Sequence, residues 1–517
     1  MGTSFWHLRL KKQMSDDEAA GDKAVPIVKL RYALRRTSRA GTSACKRGIS
    51  AVQVLSLLLM GGCGNFDVVL QDRVGREAGV LEPTVSDDAA VVEVANAAIE
   101  GKLPPPEGFS VPPKSGLEDY ISLALKNNPK IHRKIRKIQV LGYRVPQVTS
   151  LDDPLVTILP PTGSLAETAA GVVKGSGGIF QTIPWFGKLN TKGEIAEQEV
   201  QMAFDDLGEA RIATVVETIK AYDRYYLADV SIRINKKSEE LLGTIRDVAS
   251  TRYRAGDATQ QDVLRAEVEL YSLTNDLITL NQEKAAAAAL LNSLMYRRVD
   301  APLPGPAPFK LAEVKWALPE VMKRAVKNNP KLARLQQQVN RDLKQIDLAH
   351  LDYYPNLKLG FSYSPVSSSG LSPVADGGDI IGAPFGFNLP IYRKRLRAQV
   401  LERNSRALTS VEEFNELRNA IFFQLQDTLL KIDTQYRQAV LLRDALVPRS
   451  WQAVEVSTSE YRAGNLEFTA LIENWRIWLN QSLLYHKALT DLEQRFADLQ
   501  HLVGLRLSRS PDAPPKP

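Results

Sequence analysis

The 517-residue chain has only two cysteines, Cys45 and Cys63. That excludes a disulfide-stapled fold and a cysteine zinc cluster. The five histidines (His7, His132, His350, His486 and His501) are scattered, with no His-x-x-x-His spacing to hold a metal. No apolar run reaches the ~18 residues of a membrane-crossing helix. Charge of one sign is missing from the body of the chain: residues 1–62 hold eleven Lys/Arg against four acids, which is the whole formal excess of +7. Residues 63–517 are therefore balanced, and a nucleic-acid partner, which needs a basic face there, is not expected. Glu239-Glu240 and the pair Glu267 and Glu269 read as solvated helix faces. Lys174-Gly175-Ser176-Gly177-Gly178 puts its lysine before the glycines, the wrong order for a phosphate loop. With no catalytic constellation and no cofactor motif, the sequence does not read as an enzyme.

What is present begins with an export pattern. Lys46-Arg47 precede the apolar stretch Ile49–Met60, and Gly61-Gly62-Cys63 follow. A basic flank, a short apolar core and small residues make a signal segment. Leu59-Met60-Gly61-Gly62-Cys63 resembles a bacterial lipobox, which makes Cys63 the expected lipidation site; ordinary signal cleavage nearby is the alternative. Residues 64–115 show no clear period and end in proline-rich stretches around Pro104–Pro106 and Pro112-Pro113, which reads as an extended tail.

The body is duplicated. Ala124-Leu125-Lys126-Asn127-Asn128-Pro129-Lys130-Ile131 matches Ala325-Val326-Lys327-Asn328-Asn329-Pro330-Lys331-Leu332. Ile183-Pro184 matches Leu389-Pro390, with Lys188 and Lys394 equally placed beyond. Tyr253-Arg254-Ala255-Gly256 recurs as Tyr461-Arg462-Ala463-Gly464. The three landmarks keep their order at offsets of 201, 206 and 208 residues, which is an internal repeat. The expected organisation is a leader (1–62), an N-terminal tail (63–115), a first repeat (116–300), a proline-rich joint (301–315), a second repeat (316–507) and a C-terminal tail (508–517).

Each repeat follows one plan: a short helix ending near Asn-Asn-Pro, a second helix, two strands and a long helical hairpin. In the second copy Leu357, Leu359, Phe361 and Tyr363 alternate with polar or small residues, and Ile381, Ala383, Phe385, Phe387 and Leu389 do so again after a Ser/Gly loop. In the first copy the strands fall near Leu155–Leu159 and Gly178–Ile183, flanking the small, polar loop 160–177. A helical pattern then runs from about Leu189 to Tyr253, with Ile212, Val215, Ile219, Tyr222, Tyr226 and Val230 in three- and four-residue steps. At 1.5 Å per residue it is roughly 100 Å long. The return seams, Val263 to Leu294 and Leu471 to Val503, predict long helices packed side by side. Gly256 and Gly464 are suited to the left-handed bend between them, with Asp257, Thr259 and Asp262 as a restart signal of the capping-box kind.

Four strands cannot close a barrel, and an open sheet in lipid leaves edge amides unpaired at several kcal/mol each. Three chains would supply twelve strands and a closed wall. These features together, with Tyr353-Tyr354-Pro355-Asn356-Leu357 leading into a strand, resemble outer-membrane efflux proteins of the TolC family, closest to its lipoprotein branch, over residues 116–507. Gln181–Lys188 is similar to the matching stretch in the heavy-metal efflux subgroup, although it marks a strand-to-helix junction and not a substrate site.

The resemblance implies a mainly α protein with membrane β: a homotrimer with a 12-stranded β-barrel in the outer membrane on a long periplasmic α-helical barrel. It implies a passive duct that meets a periplasmic adaptor protein and an inner-membrane pump. It also implies that the hairpin ends dock the adaptor, through Tyr253, Arg254, Gly256 and Asp257 in the first copy and Tyr461, Arg462, Gly464 and Asn465 in the second. The glycines serve the bend whether or not anything docks, and the alternative reading of the arginines is that they are only solvated. A polypeptide-secretion duct, a periplasmic coiled-coil scaffold and a secreted hydrolase remain as other readings. The alternating strands argue against the scaffold, and only the export signal favours the hydrolase.

Overall fold

The computed structural model describes residues 88–99, 111–112, 115–160, 167–168, 171–368 and 377–509. The leader and Cys63 lie outside them. One expectation is corrected at once: residues 64–115 are not wholly extended, because Asp88–Ile99 form a helix, α1. Five of its twelve residues are alanine, so helix propensity is high where no amphipathic period signals it.

Two helices open each repeat, α2 (Leu117–Asn127) and α3 (Pro129–Thr149), then α6 (Leu318–Asn328) and α7 (Pro330–Leu351). The second asparagine of each Asn-Asn-Pro motif ends one helix and starts the next. The Asn128 side chain accepts the Lys130 N–H at 2.9 Å, and Asn329 accepts those of Lys331 and Leu332 at 2.9 and 3.2 Å. The proline that follows needs no partner, having no N–H. Each asparagine also uses its amide as a tie: Nδ2 of Asn128 donates to the Leu294 carbonyl at 2.9 Å, and Nδ2 of Asn329 to that of Leu502 at 2.8 Å. The motif thereby fastens the start of each repeat to the end of its own hairpin.

Between the second short helix and the long hairpin lie the strands. β1 (Leu155–Leu159), β4 (Ser176–Ile183), β5 (Leu357–Ser364), β7 (Ile380–Gly382) and β8 (Phe385–Phe387) form an antiparallel sheet in which β4 of the first repeat pairs β5 of the second. β7 and β8 keep one register against β5, Ser362 opposite Gly382 and Leu359 opposite Phe385. They are one strand interrupted at Pro384, whose carbonyl still accepts the Gly360 N–H at 2.8 Å but which has no N–H to return. The loop expected over 160–177 carries structure of its own: β2 (Glu167–Thr168) and β3 (Gly171–Val173) form a hairpin, and β3 pairs β6 (Val366–Ser367).

The long helices follow: α4 (Lys188–Ala255) with α5 (Gln260–Leu294), and α8 (Arg393–Leu441) with α9 (Val447–Ala463) and α10 (Phe468–Val503). α4 has 68 residues, so it runs about 100 Å, and it packs on α3, α5, α7 and α10. Its carboxylates cross-link those neighbours. Asp206 lies 3.2 and 3.5 Å from Lys134 and Lys137 and 3.1 Å from Arg334; Glu209 lies 3.1 Å from Lys331 and 3.0 Å from His501. The seam residues Ile212, Val215, Ile219, Tyr222, Tyr226 and Val230 are all buried. Every step of the return seam on α5 is buried or half-buried, and so is every step on α10. α8 and α9 are joined by a single π-helical turn, Leu442–Leu446. Pro448 explains it: the proline ring excludes the usual bond four residues back, and the chain widens by one residue to stay helical.

Candidate functional site: the paired hairpin ends and the strand sheet

The two bends are alike in backbone. Gly256 has φ 86° and Gly464 φ 85°, the left-handed conformation that side chains with a Cβ resist. Asp257 N–H reaches back to the Arg252 carbonyl at 2.9 Å, and Asn465 N–H to that of Glu460 at 2.9 Å, closing the same C-terminal cap twice. Thr259 precedes the first turn of α5, but the expected capping box is reversed: its hydroxyl donates to the Asp262 carboxylate at 2.9 Å and caps no backbone N–H.

The bends are held together by a shared core and one cation. Leu242, Ile245 and Ala249 of α4, Ala266 and Leu273 of α5, Val454 and Tyr461 of α9, and Leu471, Trp475 and Trp478 of α10 pack as one cluster. Burying each large apolar side chain in such a cluster contributes about 1.5–3 kcal/mol. Arg252 was not singled out by the sequence pattern, yet it joins the hairpins. One guanidinium nitrogen donates to the Tyr461 carbonyl, another to the Asp257 carbonyl at 2.9 Å, and the group stacks 4.7 Å from the centre of the Tyr461 ring.

Of the eight expected docking residues, seven lie at the surface: Tyr253, Arg254, Gly256, Asp257, Arg462, Gly464 and Asn465. Tyr461 does not. It is 2% exposed against 44% for Tyr253, edge-on to Phe468 at 5.5 Å, with its hydroxyl toward Asp262. Burial and that carboxylate push its phenol up to about 12, so it stays neutral. Among the described residues Arg254 bonds only within its own helix, to the Ser250 carbonyl at 3.4 Å and the Thr251 hydroxyl at 3.5 Å. Asn465 bonds the Glu460 carboxylate at 3.0 Å.

The strand sheet has two unlike faces. Val156, Ile158, Ile179, Leu359, Phe361, Tyr363, Ile381 and Phe385 share one face and are all exposed, Phe361 at 54% and Phe385 at 69%. The other face carries Thr157, Gly178, Thr182, Gly360, Ser362, Gly382 and Gly386, with Phe180 and Lys358 among them and with Leu155, Leu159 and Ile380 on the edge strands. At the helix-side edge of the sheet Trp185 stacks on Tyr354 at 5.2 Å, beside exposed Phe186 and Tyr392. A row of aromatic side chains bounding an apolar band suits a lipid–water boundary. Among the described residues no helix is long and apolar enough to cross a membrane, and no group of three or more His, Cys, Asp or Glu could hold a metal ion.

The family described as Outer membrane efflux protein matches residues 120–295 and 321–505, one stretch in each repeat. The chain belongs to the outer membrane efflux protein family. Solved structures of outer-membrane channels share the fold of this efflux family protein. The outer membrane protein VceC from Vibrio cholerae is similar at 14% identity and a TM-score of 0.63, over 75% of this chain and 96% of that one. The Campylobacter jejuni CmeC outer membrane channel is 15% identical with a TM-score of 0.63, over 75% and 85%. The Neisseria gonorrhoeae MtrE outer membrane channel in its open state is 18% identical with a TM-score of 0.61, over 77% and 91%. No curated protein sequence matches significantly. The mainly helical fold with a small strand section is thus that of TolC-family channels.

Proposed function

We propose that this efflux family protein is a passive outer-membrane duct, built from three copies and working in a tripartite system with a periplasmic adaptor protein and an inner-membrane pump. The observation that carries the reading is the open four-strand sheet with one exposed apolar face. β1 lies at one edge and the interrupted strand β7–β8 at the other. Closing those edges on sister chains pairs their backbone groups and yields twelve strands around a water-filled core, with the apolar face toward lipid. β5 and β6 together span 357–367, within the ~9–11 residues that a tilted membrane strand needs.

The helices support the same assembly. Leu264, Val268, Tyr271 and Ile278 form an exposed apolar stripe on α5, and Leu401, Leu408, Phe423 and Leu430 are exposed on α8. Such stripes on long helices fit the flanks of neighbouring copies in a helical barrel. The exposed bend residues Tyr253, Arg254, Asp257, Arg462 and Asn465 form the periplasmic end that meets the adaptor, and Cys63 supplies a lipid anchor. The duct does no chemistry: it lowers the barrier to passage, and the pump supplies the energy. Export of a polypeptide through the same duct is the second reading, with no feature of the bends or the sheet favouring it.

Purified protein in detergent should run at three times the chain mass and conduct ions in a planar bilayer; a water-soluble, non-conducting monomer overturns the proposal. In cells, C63S should lose incorporation of labelled fatty acid; unchanged labelling removes Cys63 as the anchor.

A further inference from the structure

The strands of the main sheet contain a single charged residue, Lys358. It stands opposite Thr182 on one side and Gly386 on the other, on a face where β4 and β5 carry small and polar residues besides Phe180. Its ammonium lies 5.1 Å from the centre of the Phe180 ring. That ring rests flat on the sheet. A Cβ at Gly360 would come within 2.4 Å of it, and one at Gly178 within 3.1 Å, so both glycines make room for it. Next toward the loops the same face carries Thr157, Gly178, Ser362 and Gly382 in line, and beyond them β4 and β5 present only Ser176 and Ser364, between Leu159 of β1 and Ile380 of β7. Phe180 and Lys358 are therefore the bulkiest inward features of β4 and β5, at the end of the sheet nearest the helices. The ring also fixes the cation: an ammonium over an aromatic face is attracted by the negative face of the ring, where a lone lysine would swing freely.

We propose that Phe180 and Lys358 form a charge-selective neck of the duct that favours anionic solutes over cationic ones. The inference rests on the threefold assembly proposed above. In it the apolar face meets lipid, the opposite face lines the pore, and three copies of Lys358 form a ring. A twelve-stranded wall places such a ring about 10 Å from the axis. Three charges at that distance, through water and screened by ~0.1 M salt, enrich a monovalent anion and deplete a monovalent cation by about twofold each. Their ratio then favours the anion roughly fivefold, and more at lower salt. No carboxylate in these strands offsets the ring.

The test is the reversal potential of the full-length trimer in a planar bilayer under a KCl gradient. Wild type should prefer chloride, K358T should lose roughly fivefold of that preference, and K358E should reverse its sign. K358T puts on β5 the residue type already present at Thr182, so it carries the test if K358E does not assemble. F180A should raise the single-channel conductance. A conducting trimer that prefers potassium, or one whose reversal potential is the same in K358T as in wild type, overturns the neck and leaves the duct standing. A protein that neither trimerises nor conducts overturns the duct itself.

Discussion

Replacing Arg252 by methionine keeps the length and apolar stem of the side chain and removes its charge and donors. In the structure Arg252 donates to carbonyls of both hairpins, Tyr461 and Asp257, and stacks on the Tyr461 ring. A hydrogen bond from a charged donor contributes about 1.5–3 kcal/mol, and an exposed cation–π contact about 0.5–1 kcal/mol. At the low end the two bonds and the ring contact come to about 3.5 kcal/mol, and because the site is half-exposed and water can take over the freed carbonyls, the loss is discounted to about 2 kcal/mol. That corresponds to a roughly 30-fold rise in local opening of the paired ends. Hydrogen exchange reads it directly, at the amides of Gly256, Asp257, Gly464 and Asn465, whose bonds close the two caps. R252K, with one compact ammonium for two carbonyls, should fall between. R254M is the control, because among the described residues Arg254 bonds only within its own helix. If R252M exchanges no faster than R254M at these amides, Arg252 does not tie the hairpins and the account of the site fails.

Three further perturbations follow from the same structure. G256V and G464V force a β-branched residue into the left-handed region, at about 1–2 kcal/mol or more each, and a Cβ at Gly464 also meets Arg252 at 3.4 Å; the double variant should lower the unfolding temperature and abolish export, and a full-activity variant would remove the bends from the mechanism. Asp223 is wholly buried on α4 with no hydrogen-bond partner for either carboxylate oxygen among the described residues, near Glu493 and Asp491 of α10 and, on its own helix, Lys220. Burial first, then those two carboxylates, hold its pKa well above the ordinary 3.8, so the folded chain keeps a proton that the unfolded chain loses. This group's contribution therefore declines as pH rises above about 4, and melting curves of D223N should lack that decline. His486 acts in the opposite sense. Burial, and then Arg233, lower it from 6.5 to about 4, so between those values the unfolded chain binds more protons and stability falls as pH drops; H486Q should flatten that limb.

Much of this architecture is legible because its signals are periodic. The seam Val263, Ala266, Leu270, Leu273 and onward is buried step by step as spacing requires, and β5 alternates as written. The Asn-Asn-Pro motif could be read as a boundary but not as a tie, since its partners Leu294 and Leu502 lie 166 and 173 residues away. β7 and β8 read as one strand because sequence alternation ignores the missing N–H of Pro384. The β2–β3 hairpin is too short to leave a period, and its pairing with β6 crosses between the repeats. Lys358 looked like any exposed strand residue; only the ring of Phe180 on Gly360 gives it a fixed position.

The least legible feature is the inequality of the two identical bends. Aligned at their glycines, Tyr253 corresponds to Tyr461 and Arg252 to Glu460. The face that α4 turns to the core runs through Leu242, Ile245 and Ala249 and continues to Arg252, four residues before its glycine. On α9 it runs through Val454 and Ser457 to Tyr461, three residues before. The two helices share one phase up to the last turn: Ala249 and Ser457 each lie seven residues before their glycine, Leu242 and Ser450 each lie fourteen before, and all four are buried. They part only at the last step, Arg252 on one side and Tyr461 on the other. One copy of the motif therefore presents its tyrosine to solvent and its preceding arginine to the neighbour, while the other presents its tyrosine inward to receive that arginine. A single aromatic ring seated between the hairpins, with a single cation stacked on it, is what makes the two identical motifs unequal.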